Sequence, residues 1–373
     1  MLGHNTTSQL ECAQSGNDIV VSFADRTIRI TVDGTELAPL SDWTFALWLV
    51  LPIAMREGVN VEVAKGIDPV ALSNARRLVA TWVQWQPSKF RYVTVTALPA
   101  NEGRPRGRPG RLFFFSGGVD STNMLLRQAN LSSDDAAMTI CGLDYRPGSE
   151  QFDALITKSD SVLEHFGVPR IIVSTDASKA VRDLKINHAF VLSAMGFLFS
   201  DRFGSCHLAA DARIDSEFLV FPWGTNSVSN ALFRSANYRL VTEDLDEGRT
   251  DKIARLSRHP RLLEAVSFCS DRRYRPENCG VCGKCIRTKA RFLVLNGEIP
   301  PIFLNNRFDE ADIQNLDFNN KIVFQSMLTL FFESGPDESN ETVRLIGRRL
   351  QKQIDKQRKK SALRKITRLF ERR

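Results

Sequence analysis

The chain of 373 residues is 43% hydrophobic and 25% charged, an ordinary globular balance long enough for two domains and able to bury a sizeable core. Its longest apolar run, "FALWLVLPIAM" at 45–55, holds 11 residues including Pro52, which excludes a bilayer-spanning helix. The net charge of +7 does not make the whole chain basic: Arg344 to Arg373 carry 13 Lys and Arg against Asp355 and Glu371, so any polyanion argument concerns the tail alone.

The first twenty residues contain neither a basic n-region nor an apolar h-region, so no secretory signal is expected and the expected location is cytoplasmic. No internal repeat is visible. Residues 1–98 read as a small N-terminal α+β domain. "DIVVSFA" and "TIRITV" alternate in the β manner around a short turn and predict a hairpin. "SDWTFALWLVLPIAMREG" predicts a buried helix, with Ser41 or Asp42 as N-cap, Pro52 as a kink and Gly58 at its end. "NVEVA" predicts a strand, "DPVALSNARRLVATWVQW" an amphipathic helix begun by Asp68 and Pro69, and "RYVTVTA" another strand. Trp43, Trp48, Trp82 and Trp85 sit at helical spacings that fit core packing better than an aromatic binding face. Residues 99–110 are rich in Pro, Gly and Arg without periodicity and read as a linker.

Between 111 and 265 the pattern becomes strand, helix, strand, helix. "RLFFF", "AAMTICGL", "RIIVST", "SCHLAA" and "YRLVTE" predict strands; "STNMLLRQA", "EQFDALITKSDSVLEHFG" and "HAFVLSAMGFLFSDRFG" predict helices between them. Apolar strands alternating with helices predict an α/β fold with a doubly wound parallel sheet. Such a sheet places ligands at the carboxyl ends of its strands, and "SGGVDS" lies at one of those ends. Gly117 and Gly118 permit a tight turn and a close backbone approach to a ligand. Their amide hydrogens, with those of the next helix start, suit an anion at the positive end of the helix dipole. Ser116 and Ser121 add hydroxyls, and Asp120 suits either a magnesium ion or a helix cap. The lysine of a P-loop is missing.

The stretch resembles the SGGxDS signature of the PP-loop ATP pyrophosphatases. The resemblance implies that Ser116, Gly117, Gly118, Val119, Asp120 and Ser121 hold MgATP by its pyrophosphate while a substrate oxygen attacks the α-phosphorus. The resulting adenylate is then displaced by an amine, ammonia or sulfur nucleophile.

Of seven cysteines, Cys12, Cys141 and Cys206 are scattered, whereas Cys269, Cys279, Cys282 and Cys285 fall within 17 residues of the segment 266–300. In a reducing compartment such clustering favours a metal over disulfides. Four thiolates meet the tetrahedral demand of Zn²⁺ and leave no open position, which predicts a structural site supplying about 10–16 kcal/mol of apparent binding energy. The C-x2-C-x2-C spacing also occurs in iron–sulfur ligation, and free thiols are the third reading.

A PP-loop followed by CGxCxxC resembles the 7-cyano-7-deazaguanine synthase family over about residues 111–297, half the chain. That family converts a 7-carboxy-7-deazaguanine into a nitrile with ATP and ammonia, activating the carboxylate as an adenylate. The resemblance implies substrate contacts in "AADARIDSEFLVFPW", from Asp211 and Asp215, and a phosphate contact from Lys252 in "RTDKIARL". "PWGTNSV" departs from the proline, acid, cysteine and arginine of the family's substrate motif, and neither the N-terminal unit nor the tail has a counterpart there. The chain is also similar to a group of larger bacterial PP-loop proteins that combine an N-terminal domain, the loop and this metal motif.

Asp144, just past the second strand, is a further candidate for ATP or metal contact, and Lys185, Arg182 and Arg249 are further cations; each fits a turn or surface role as well. His188 reads as a helix-start residue, His207 as core, and Cys141 and Cys206 as buried apolar fillers. Residues 301–373 predict a C-terminal helical region with a basic tail, one stripe running through Val343, Ile346, Leu350 and Ile354 and a second through Leu363, Ile366 and Phe370. Such a helix can pack on the protein, dock on RNA phosphates or lie on anionic lipid. The expectation is an adenylating, C–N bond-forming ligase with Asp120 and Lys252 as catalytic groups and ATP, Mg²⁺ and structural Zn²⁺ as cofactors. Its expected partners are a small-molecule acid and a nitrogen donor. The alternatives are a tRNA-thiolating enzyme with an RNA or protein acceptor and a non-catalytic nucleotide-sensing module; a homodimer is compatible with each.

Overall fold

The computed structural model describes residues 5–99, 109–220, 222–335 and 339–370, of which 362–370 are described as backbone only. The predicted linker lies almost wholly outside the described residues, as do the side chains of the second tail stripe. The chain forms two compact units, residues 1–217 with 222–246, and residues 218–221 with 247–373.

In the first unit, β1 (Thr7–Ser15), β2 (Asp18–Phe23) and β3 (Arg26–Asp33) form an antiparallel meander. The β2–β3 hairpin turns through Ala24 and Asp25, both at positive φ (46° and 59°), as a two-residue turn matched to strand twist requires. α1 (Thr44–Glu57) starts where the Asp42 carboxylate accepts from the Thr44 amide at 2.6 Å; it contains Pro52 and ends on left-handed Gly58. β4 (Asn60–Ile67) leads to α2 (Pro69–Trp85), capped by Asp68, and then to β5 (Val95–Pro99). The predicted core role of the tryptophans holds for Trp48 and Trp82, which are wholly buried.

The alternating segment follows as β6 (Arg111–Phe114), α3 (Val119–Arg127), β7 (Ala136–Cys141), α4 (Glu150–Phe166), β8 (Arg170–Thr175), α5 (Ala177–Ala180), α6 (Leu184–Phe197), β9 (Ser205–Ala209), α7 (Ser227–Asn230) and β10 (Leu240–Glu243). Strand order is β10-β9-β6-β7-β8-β3-β2-β1-β4-β5. From β10 to β8 every pairing is parallel. The chain runs outward from β6 to β7 and β8, then returns to lay down β9 and β10 on the other side, so strand order reverses between β6 and β9. Leu112 and Phe114 pack into the cluster that holds Trp48 and Phe190, whereas Phe113, on the opposite face, meets the His207 ring at 5.0 Å. On that second face α4 packs Phe152 and Leu155 against Cys141.

Residues 1–98 are not a domain of their own. β3 pairs antiparallel with β8, Ile30 opposite Thr175, so one ten-stranded, mostly parallel sheet runs through both segments. Unpaired, β8 would be an open edge of bare N–H and C=O groups, and α1, apolar all round, is buried from Thr44 to Met55 with α6 among its neighbours.

The second unit begins at Glu247, earlier than the boundary expected at 265, because α8 (Arg249–Leu256) packs with α9 (Pro260–Ala265) and α10 (Gly283–Asn296). α11 (Glu310–Gln314), α12 (Lys321–Glu333) and α13 (Glu341–Phe370) complete it. Ile346 and Leu350 of the first tail stripe join Ile286, Met327 and Leu330 in its core. A Cβ on Gly347 would lie 2.8 Å from the Phe331 ring, so this glycine lets α13 cross α12 closely. No described helix is long and apolar enough to cross a membrane.

Candidate functional site

The glycine turn occupies the carboxyl end of β6. Gly117 has φ of 69°, and a Cβ there would sit 3.1 Å from Leu155 Cδ1 and 3.3 Å from Ser159 Cβ on α4. Both conformation and packing therefore call for glycine. Gly118 is the extended N-cap of α3 and offers no side chain, so the first turn of the helix directs its backbone N–H groups outward. Ser121 Oγ organises the turn: it accepts from the Ser116 amide at 3.3 Å, donates to the Gly118 carbonyl at 3.2 Å, and lies 3.3 Å from Ser116 Oγ. Val119 and Ser121 are buried, Gly118 and Asp120 half-buried, and Ser116 exposed. The buried pair shapes the cradle, and the others border solvent. Asn123 donates to Asp244 at 3.0 Å and Arg127 pairs with Asp246 at 2.8 Å, fixing α3 to the segment after β10.

Asp211 lies two residues past β9, beside the same reversal of strand order. It accepts from Trp223 Nε1 at 2.9 Å and from the Thr225 hydroxyl, with His188 Nε2 at 3.8 Å. His188 Nδ1 lies 2.8 Å from the Leu184 carbonyl, which holds the ring on α6. His188, Trp223 and Thr225 are the members that sequence reasoning did not bring together; the only signal was the departure of "PWGTNSV" from the family motif. Asp215 is exposed and tied to Arg213 at 2.6 Å, a hydrogen bond that holds its carboxyl below the usual range. Asp144 lies in the exposed bend after β7, and Arg182 and Lys185 are exposed before and within the first turn of α6. Lys252 and Arg249 belong to the second unit: Lys252 is buried on α8, and burial together with the charge of Arg249 lowers the Arg287 pKa to about 10. Cys141 and Cys206 are buried thiols raised to about 11 and about 12 by that burial, as fillers should be.

The four clustered cysteines bring their sulfurs within 4.8 Å of one another. Cys269 and Cys282 are 3.8 Å apart, and Cys279 and Cys285 3.9 Å. A regular tetrahedron with metal–sulfur bonds of about 2.3 Å has edges of about 3.8 Å, so the donors fit a metal ion such as zinc. The amides of Val281 and Cys282 donate to Cys279 Sγ at 3.4 and 3.3 Å. Gly280 permits that loop: its φ is 79°, and a Cβ would fall 2.0 Å from the Asn305 carbonyl. Asn278, fully buried, accepts from the Phe268 amide and donates to the Val266 carbonyl, linking the two cysteine-bearing segments. Cys282 caps α10 and Cys285 lies in its first turn, where the dipole favours thiolate. Burial raises Cys269 to about 11, while hydrogen bonding from Cys285 lowers Cys282 to about 3 and raises Cys285 itself.

Comparison with protein-family models, curated proteins and solved structures returns no match.

Proposed function

We propose that the first unit is an ATP-dependent adenylating enzyme of the PP-loop type and that the cysteine cluster of the second is a structural zinc site. The observation that carries this reading is the glycine turn at the carboxyl end of β6, ahead of α3 and beside the reversal of strand order. In open α/β sheets that crevice is where ligands bind. The turn suits a polyphosphate: Gly117 takes a left-handed φ of 69°, Gly118 brings no side chain to the start of α3, and Asp120 in its first turn is placed for the accompanying Mg²⁺. When bound, ATP supplies an electrophilic α-phosphorus and a pyrophosphate leaving group.

The chain's own residues then have separable tasks. The Ser116 hydroxyl and the Gly117 and Gly118 amides bind phosphate oxygens, Ser121 keeps the turn in shape, and Asp120 holds Mg²⁺. Asp144 is a second proposed contact with nucleotide or metal. Asp211, with His188, Trp223 and Thr225, forms the wall nearest an acceptor carboxylate; Asp215 extends it. A carboxylate oxygen of the acceptor attacks the α-phosphorus, and a nitrogen nucleophile then displaces AMP. Rate enhancement comes from positioning and charge stabilisation.

The test is product analysis from MgATP with ammonium and a panel of carboxylic acids that includes 7-carboxy-7-deazaguanine, for the wild type and Asp120→Ala. AMP with pyrophosphate, lost in the variant, is expected. ADP with phosphate overturns the reading, and ATP binding without turnover on any acid redirects it to a nucleotide sensor. The thiolating alternative has less support, since Cys141 and Cys206 are buried and raised well above the range of a reactive thiolate.

A further inference from the structure

A second constellation runs along β9 and β10, from a serine at the amino end of β9 to a carboxylate at the carboxyl end of β10. Ser205 opens β9 and His207 follows two residues later, so both side chains share one face of the sheet. Ser205 Oγ is 2.8 Å from His207 Nε2, and His207 Nδ1 is 2.6 Å from Glu243 Oε1 on β10. The hydrogen bond from His207 holds the Glu243 carboxyl below its ordinary range, so it is ionised and can only accept. The contact of Nδ1 with a carboxylate selects the tautomer in which Nδ1 donates, and in that tautomer Nε2 accepts from the serine hydroxyl. That polarity is the one a general base needs toward a nucleophile.

The surroundings suit the role. The His207 ring is buried against Phe113, which fixes its plane. Ser205 is half-buried and lines a cavity of about 550 Å³ at the amino ends of β6 and β9. Arg234 and Arg239 line the same cavity, both exposed and neither in an ion pair among the described residues. Arg111, on the same wall, is matched by Asp135 at 2.7 Å, so the two other arginines set the local charge.

We propose that this cleft is a serine esterase site for carboxylic esters that carry an anionic group. Ser205 Oγ forms a bond to the acyl carbon as its proton passes to His207 Nε2. The ester C–O bond breaks, and the leaving alcohol takes that proton. Water then attacks the acyl-serine, giving its proton to His207 and thence to Ser205 Oγ, which releases the carboxylic acid. Glu243 is a positioning residue that keeps the ring in the required tautomer. Arg234 and Arg239 bind the anionic group of the ester.

The full chain, without ATP, is treated with a fluorophosphonate, which phosphonylates an activated serine with loss of fluoride. Peptide mass mapping is expected to find the adduct on Ser205. Glu243→Gln is expected to slow labelling about a hundredfold with an unchanged thermal midpoint, the range of a general-base contribution. Hydrolysis of the mono-p-nitrophenyl ester of succinate should vanish in Ser205→Ala. Arg239→Ala should raise KM for that ester but not for p-nitrophenyl acetate. An unlabelled Ser205 in folded wild type, labelling indifferent to Glu243→Gln, or hydrolysis that survives Ser205→Ala each overturns the proposal. None of these readouts involves ATP, so failure here is separate from failure of the adenylating reading.

Discussion

Removing the metal from the cysteine cluster should melt the second unit while leaving the first folded. Structural zinc in small sites supplies about 10–16 kcal/mol, which matches or exceeds the roughly 5–15 kcal/mol that keeps a whole domain folded. The sulfur separations of 3.8 and 3.9 Å match the edges of a zinc tetrahedron, and the helix that carries Cys285 also carries Ile286 and Ala290 into the core. The two units can be read separately. All five tryptophans, Trp43, Trp48, Trp82, Trp85 and Trp223, lie in the first, whereas about half of the helical residues lie in the second. The purified protein should contain one zinc per chain by elemental analysis, with no visible iron–sulfur absorbance. Chelation under mild heating should then remove up to about half of the helical circular dichroism while tryptophan emission stays native. Full ellipticity in metal-free protein would refute the reasoning, because the cluster would then not be structural.

Thiol labelling should follow the same division: Cys12 and Cys141, raised to about 11, and Cys206, raised to about 12, are mostly protonated at pH 8 and should react slowly in metal-loaded protein, with four further thiols released on chelation. Gly280→Ala should lower zinc content and second-unit stability, since its Cβ would fall 2.0 Å from the Asn305 carbonyl; normal zinc content would show that the loop can yield there. Asp135 is buried, and although burial opposes its ionisation, hydrogen bonds from Arg111 and Ser132 outweigh it and hold its pKa below the usual value. Its stabilisation is therefore present above the unfolded pKa of about 3.9 and lost as pH falls through the lower folded value. Asp135→Asn should cost about 3 kcal/mol at pH 7, the low end for breaking a buried pair because Arg111 keeps some solvent, and should flatten the wild-type loss of stability below about pH 4 in denaturant titrations. Equal acid profiles would exclude that pair as the cause.

What the sequence determined by itself is what neighbours along the chain decide. The strand–turn–helix around Gly117 and Gly118, the Asp68–Pro69 helix start, the Gly58 stop and the compact cysteine spacing each depend on residues a few positions apart, whose conformational preferences act before any distant contact forms. The α/β alternation was legible for the same reason, since periodicity is local. Tertiary structure alone decided that β3 closes the edge of β8 and merges residues 1–98 into the central sheet, because edge pairing depends on which strand is left bare after the others have packed. It also decided that Asp211 gathers His188, Trp223 and Thr225, and that Glu243 meets a histidine 36 residues earlier, since parallel neighbours are related by register rather than by distance along the chain. The tail divides in the same way. Its apolar stripe was visible at helical spacing, but only the Phe331 ring against Gly347 explains why a helix-weakening residue stands within it.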